Sequence, residues 1–411
     1  MRTYRELFRT PEFTPLFLAS AAQVAAQTVS GLALATMVYS ATGSPLLSSL
    51  AMFGPSLAQV IGAATLLSAA DRLAPRAALT GLSLLFGLAT AAQAVPGMPV
   101  WGIFAIVLGL GVTASLGGGV RYGLLNEMLA RDGYLLGRSV LNMSNGMMQI
   151  VGFAAGGVLV ATLSPRGTLL TGAALYLGAA AVARFGLARR PPRAGGRPSP
   201  ADTWRNNARL WSSRPRRYVY LALWVPNGLI VGCESLFVPY TPEHAGLLFA
   251  FGALGMLAGD TLTGRFVPKH WRRRLDAPLR LLLAAPFLIF VLRPPLPIAV
   301  AAVTLATVGY GSTLLLQDRL MALTPDELSG HALGLHSSGM IAMQGVGAAL
   351  AGAVAQSTSP ATAMTLMAVA SVAVTVALAP GLRYDRAATA PEDAPPPEPA
   401  SQNQVCDPQE A

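Results

Sequence analysis

Glu127, Glu234, Asp260 and Asp318 sit inside stretches of this 411-residue chain that are otherwise almost free of charge, and Arg121 and Arg319 accompany two of them. Placing a charge in the middle of a bilayer costs ~2.5–3.5 kcal/mol on insertion scales, so such groups face a bundle interior or a wet cavity. Glu234 has no cation in its own stretch. A carboxylate in that setting can exchange a proton near neutral pH, letting a proton and a substrate compete for one charge state. Glu234 is therefore the leading proton-coupling candidate, with Asp260 as the second. A substrate counter-ion and a hydrogen-bonded structural acid are the other roles open to Glu234. Asp260 lies near Arg265, which suits either an inner-gate pair or local neutralisation. Glu127 and Asp318 follow Asn126 and Gln317 as matched pairs, placed for salt bridges to Arg121, Arg131 or Arg319.

Uncharged polar residues fall in stripes. Gln23, Gln27 and Ser30, then Asn142, Asn145 and Gln149, then Trp224, Asn227 and Glu234, are spaced by three, four or seven residues, which puts each set on one helix face. Any one of them could serve only an interhelical hydrogen bond. Together, with Gln344 repeating Gln149, they outline a shared substrate cavity. Trp224, Tyr240, Met147, Met148 and Met343 would give it an apolar, adaptable surface. His336 reads as a hydrogen-bonded packing residue.

The elements that must position these groups are membrane helices. Hydrophobic residues make up 53% of the chain and charged ones 12%, about half of the ~25% usual in soluble domains. No Asp, Glu, Lys or Arg occurs in 13–70, 77–120 or 328–382, and since ~20 residues cross the hydrocarbon, each run holds two spans and a short turn. Twelve spans fit: 13–40, 45–70, 76–95, 100–129, 138–163 and 166–187, then 218–240, 245–267, 277–293, 296–324, 330–356 and 359–382. Ser44-Pro45, Ser164-Pro165 and Ser359-Pro360 each pair a capping side chain with a residue that has no N–H to satisfy, which marks a helix start. Spans 3, 6, 9 and 12 carry no charge in their middles and read as lipid-facing scaffold.

The net charge of +10 is segregated: with the N-terminus inside, only Arg166 and Arg293 fall in outer turns, while 189–217 and 269–280 hold basic clusters. By the positive-inside rule both termini are cytoplasmic, in the inner membrane, and the basicity points to lipid rather than nucleic acid. The polar, basic start of the chain leads into a long span without a cleavage-like flank, so no removable signal is expected. Cys233 lies in an apolar run and Cys406 in the polar tail, so no structural disulfide is expected.

Gly62, Arg72, Pro75 and Arg76 recur 193 residues later as Gly255, Arg265, Pro268 and Lys269, and Gly137 and Gly146 recur as Gly330 and Gly339. A fixed offset over separate segments argues for an internal repeat. The expected organisation is an N-terminal six-helix bundle at 1–187, a basic linker at 188–217, a C-terminal six-helix bundle at 218–382 and a disordered cytoplasmic tail at 383–411. In the linker, Ser199, Pro200 and Asp202 resemble a capping box and Trp204, Ala208 and Trp211 share a face, so it is either a helix on the inner membrane surface or a disordered tether. The expected fold class is all-α membrane protein, with twelve transmembrane helices in two pseudo-symmetric bundles.

Residues 67–79, LSAADRLAPRAAL, resemble the turn between spans 2 and 3 of the major facilitator superfamily, keeping Ala70, Asp71, Arg72, Arg76 and Leu79 and departing at Leu67, Ala74 and Pro75. Residues 37–50 and 121–142 resemble its exporter-like branch; Gly109-Leu110-Gly111 is present in span 4, with Ala105 where the branch places an Arg. The resemblance implies alternating access and an inner gate in which Asp71, at the negative end of span 2, is held by Arg72, Arg76 and the start of span 11 near Gly330. Arg265, Arg121, Glu127 and Asp318 complete the expected gate. No Walker, HExxH, GxSxG or CxxC motif is present, so neither an enzyme, a metal site nor a cofactor is expected. The expected function is proton-coupled efflux of small amphiphilic molecules by a monomer; an importer or uniporter of the same fold, and a non-transporting scaffold or sensor, are the alternatives.

Overall fold

Apolar side chains on every face, with no water to satisfy backbone groups, leave the chain one regular structure, the helix, whose N–H and C=O groups pair within a single segment. The computed structural model describes residues 4–66, 73–129, 131–192 and 200–388, and among these every regular element is helical. After a short α1 (Tyr4–Arg9) come α2 (Phe13–Thr42), α3 (Pro45–Leu66), α4 (Pro75–Gln93), α5 (Val100–Met128) and α6 (Arg131–Gly186). A connecting helix α7 (Pro200–Ser212) leads into α8 (Arg214–Ser235), α9 (Phe237–Tyr240), α10 (Ala245–Thr261), α11 (Lys269–Ala284), α12 (Leu296–Val308), α13 (Ser312–Ala322), α14 (Ser329–Ser357) and α15 (Pro360–Ala388). Eleven of the described helical stretches are long and apolar enough to cross a membrane.

Several boundaries differ from those read off the sequence. The expected fifth and sixth spans join in α6, which breaks at Ser164 (φ 68°, ψ 163°), a conformation that costs a residue bearing a Cβ on the order of 1–3 kcal/mol. The ninth begins at Lys269 rather than 277 because the basic residues 269–274 form its first turns, and it ends as a 3₁₀ segment, Ala285–Leu292. The tenth is interrupted by a 3₁₀ turn, Gly309–Gly311, between α12 and α13. α15 runs to Ala388, past residue 382, since no proline intervenes before Pro391. Cys233 is a buried free thiol, and Cys406 lies outside the described residues.

The three Ser-Pro starts behave as capping physics requires. Ser44 Oγ accepts from the Leu47 N–H (3.2 Å), Ser359 Oγ from the Thr362 N–H (3.2 Å) and Ser164 Oγ from the Gly167 N–H (3.5 Å). In the connecting segment, α7 stacks Trp211 on Tyr220 (6.0 Å) and Trp224 (5.8 Å) of α8 and buries Leu210 beside Leu328, which precedes α14, and Ala332 within α14. That docking settles the choice between helix and tether for 200–212, while Ser199 lies outside the described residues.

The sequence repeat is also a repeat of packing. Gly62 of α3 lies against Val112 and Ser115 of α5, and Gly255 of α10 against Thr304 and Thr307 of α12, so close that a Cβ at either glycine would overlap backbone carbonyls. The same offset carries α3 into α10 and the first arm of α6 into α14. Accordingly the two halves of the chain meet along two related seams, α3 on α14 and α6 on α10.

Candidate functional site

Both seams are tight at one end. Gly246 at the start of α10 abuts Gly157 of α6, and a Cβ there would lie 2.9 Å from the Phe153 carbonyl oxygen; Gly352 of α14 abuts the Leu46 backbone. Polar contacts add to this closure: Ser44 Oγ donates to Gln356 Oε1 (2.7 Å) and Ser49 Oγ to the Ser235 carbonyl (3.2 Å). Toward the other end the seams part. Among the described residues, a Cβ at Gly146 would meet α10 only through Leu257 at 3.9 Å, and at Gly330 and Gly334 nothing lies within 4 Å of a Cβ position. Between the halves lies a cavity of about 660 Å³, within the ~300–1,000 Å³ range of sites for small molecules.

Of the polar residues expected to line it, Gln27, Asn145, Gln149, Asn227 and Gln344 do, together with Glu234, Asp260 and Arg121. Gln23, Asn142 and Trp224 do not; their faces are right but their depths are not. Gln23 lies behind Arg121, Asn142 accepts from the Tyr122 hydroxyl (3.0 Å), and Trp224 donates its indole N–H to the His336 carbonyl (3.0 Å) with its ring over Gly339. The apolar lining also differs from expectation. Met147, Met148, Met343 and Tyr240 are absent from it, and Phe53, Phe153, Phe237, Phe249, Met52, Met256 and Met340 take their place. A signal for these existed: Phe153 follows Gln149 by four residues, Phe237 follows Glu234 by three, Met256 precedes Asp260 by four and Met340 precedes Gln344 by four. Each polar stripe continues as an apolar one on the same helix face.

Glu234 stands at the last turn of α8, the negative end of a helix, where a carboxylate gains nothing from the dipole. Its side chain accepts a hydrogen bond from the Tyr310 hydroxyl (3.1 Å). Tyr310 occupies the 3₁₀ turn between α12 and α13, flanked by Gly309, against the Leu283 backbone, and Gly311, against the Gly259 backbone. Side chains at either glycine would push the turn off α10 and α11, so these two positions fix where the hydroxyl points.

Arg121, expected at the inner gate, reaches the cavity instead. Its Nη2 donates to Gln23 Oε1 (2.6 Å), Gln23 Nε2 donates to Ser83 Oγ (2.6 Å), and Ser83 Oγ donates to the Leu79 carbonyl (2.8 Å). One guanidinium edge is thereby tied to α2 and α4, while Nε has no partner among the described residues. Asp318 finds a base other than those expected, and Glu127 takes up one base that was not expected, while the side chain of Arg131 lies outside the described residues. Glu127 pairs with Arg190 (3.4 Å), which also holds Glu12 (3.1 Å), and Asp318 pairs with Arg272 (2.7 Å) at the first turn of α11. Arg319 turns away to donate to the Leu382 carbonyl (2.6 Å). Asp260 and Arg265 are both exposed and form no ion pair among the described residues. Arg76 is half-buried in the first turn of α4, and Asp71 and Arg72 fall outside the described residues. His336 is buried beside the cavity, with Nε2 2.9 Å from the Gln317 amide. No group of His, Cys, Asp or Glu among the described residues is arranged to hold a metal ion.

Solved structures share this architecture at low identity. A POT family transporter in complex with a thioalcohol-conjugated peptide superposes with a TM-score of 0.72 at 10% identity, over 92% of this chain and 96% of the other. A bacterial homologue of the human lysosomal transporter Spinster, inward-facing and unoccupied, superposes with a TM-score of 0.69 at 13% identity, over 93% and 97%. No curated protein sequence matches. A profile described as Major Facilitator Superfamily matches residues 16–317.

Proposed function

The chain belongs to the Major Facilitator Superfamily, and from that premise we propose that it is a proton-coupled exporter of small, amphiphilic molecules. Secondary transport in general follows from membership and fold. The observation that supports proton coupling is Glu234, a carboxylate in the wall of a cavity of about 660 Å³, bonded to Tyr310 and to no cation among the described residues. The aromatic and methionine lining supports an amphiphilic cargo.

In this reading the chain makes twelve crossings, the Ser164 break dividing α6 into two, and works as a monomer with both termini in the cytoplasm of an inner-membrane host, without nucleic-acid partners. The two halves, 1–187 and 218–382, rock about the cavity so that it opens to one face at a time. Asp71, Arg72 and Arg76 latch the end that stands open in this structure, with Arg265 and the Glu127 and Asp318 pairs beside them. Ala105, where exporters of this family carry Arg, favours a second reading in which the same cavity serves an importer or uniporter.

The test is flux in proteoliposomes. Glu234→Gln is expected to abolish transport driven by a pH gradient while leaving counterflow of a labelled compound; pH-driven flux equal to that of the unmodified protein would reject Glu234 as the coupling site.

A further inference from the structure

The charges in the cavity wall are divided between the halves. Residues of the first half contribute one charged group, Arg121, and those of the second contribute two, Glu234 and Asp260. None of the three pairs with an oppositely charged side chain among the described residues: Arg121 is held by Gln23, Glu234 by Tyr310, and no hydrogen bond anchors Asp260. The repeat does not explain the division, since Leu314 occupies the position related to Arg121, also in the wall. Two buried acceptors point the same way. Asn145 Oδ1 from the first half and Asn227 Oδ1 from the second are both in the wall and both without a donor among the described residues, and the Arg121 Nε–H is without an acceptor among them.

Arg121 and Glu234, drawn part-way out of solvent, are costly until they meet their opposites, and Asp260 stands exposed in the same wall. One cation and two carboxylates are matched by a ligand that carries one anionic and one cationic group, with one carboxylate left over. We propose that the cargo is a dipolar organic ion: an apolar body bearing an anionic group, seated on Arg121, and a protonated amine, seated on Asp260, with Glu234 left for the proton. Such a cargo spans the two halves, each of its charges bound to a different one, so its binding energy acts directly on the rocking motion. A singly charged molecule engages one half and leaves the other unmatched. This inference rests on the transporter reading and assigns the substrate class of the same cavity.

The probes are four charge forms of one aromatic body: biphenylalanine, its N-acetyl derivative, its amide, and the N-acetyl amide. Titration calorimetry on the purified protein is expected to rank biphenylalanine about tenfold or more tighter than either singly charged form, since a site built for a polar group rejects analogues lacking it. Arg121→Gln should reduce biphenylalanine to the affinity of the amide while leaving the amide unchanged, and Asp260→Asn should reduce it to that of the N-acetyl form. Arg121→Lys should preserve the ranking. Equal or tighter binding of a singly charged or neutral form, no binding of any form, or an unaltered ranking in the two variants would overturn the assignment. Should a variant lose its monodisperse profile, the ranking on the unmodified protein alone decides. Counterflow of the bound forms separates the two inferences: tight binding of biphenylalanine without flux removes the transport reading and keeps the charge rule, whereas flux of the amide alone does the reverse.

Discussion

The two ends of the seam between the halves are built on different principles. At the closed end, glycines bring backbones into contact, Gly157 on Gly246 and Gly352 on Leu46, and neutral hydroxyls and amides bridge what remains. At the open end the glycines of α14, Gly330 and Gly334, meet no described residue, and the neighbouring charges are engaged without crossing between the halves: Arg190 of the connecting segment with Glu12 and Glu127, Arg272 with Asp318. Close backbone packing depends on shape and is insensitive to salt, whereas exposed charges can change partners at little cost. One end is thus suited to a snug, short-range closure and the other to an electrostatic latch remade on each cycle.

The contrast can be broken most severely by a covalent link. With Ser44→Cys and Gln356→Cys joined by a short bis-methanethiosulfonate, which forms a disulfide at each cysteine with loss of methanesulfinate, the closed end cannot part, and flux in proteoliposomes is expected to fall to background; persisting flux in fully linked protein would mean that the seam does not move. The matching pair at the open end, Arg76→Cys with Gly330→Cys, should link poorly at rest and better during turnover. A smaller effect is expected from Gly246→Leu. Overpacking of this kind costs ~1–3 kcal/mol, and here that cost falls on the closed state, so a cysteine at Ser49 should become reactive to an impermeant maleimide. Unchanged protection of that cysteine would show that the glycine contact does not make the seal. Asp71→Asn should lower transport while membrane insertion, read by expression level, is retained; full activity would remove the latch role from Asp71. The mildest outcome is expected from Glu127→Gln, which loosens a half-exposed pair and should destabilise the protein by no more than ~1 kcal/mol in denaturant titration. A larger loss would show that the open end is held more rigidly than its charges imply.

Local chemistry in this chain was legible from the sequence, and depth was not. Ser44, Ser164 and Ser359 announce helix starts because a cap and a proline act within four residues. The 193-residue offset announces the matched packing inside each half, Gly62 on α5 and Gly255 on α12, whereas the seam glycines Gly157, Gly246 and Gly352 are not related by it. Periodicity assigns a residue to a face but leaves its height along the helix and its distance from the neighbouring helix open. For that reason Gln23, Asn142 and Trp224 share the cavity-facing stripes yet lie beside the cavity, while Arg121, near the inner end of its span by sequence, lies in the wall. Ion pairs were the least legible, since Arg190 and Arg272 reach Glu127 and Asp318 from 63 and 46 residues away.

The turns at the closed end have one more effect. Gly43 and Ser44 alone separate α2 from α3, Thr358 and Ser359 alone separate α14 from α15, and at Ser164 the reversal takes place without leaving the helix. At these three turns almost no chain stands clear for an antibody fragment to grip or a protease to cut, which leaves residues 94–99 and 241–244 as the longer connections on that face. Binders selected against the folded protein will therefore fall mainly on the opposite face, and any that reach the closed one must recognise a nearly flat field of helix ends.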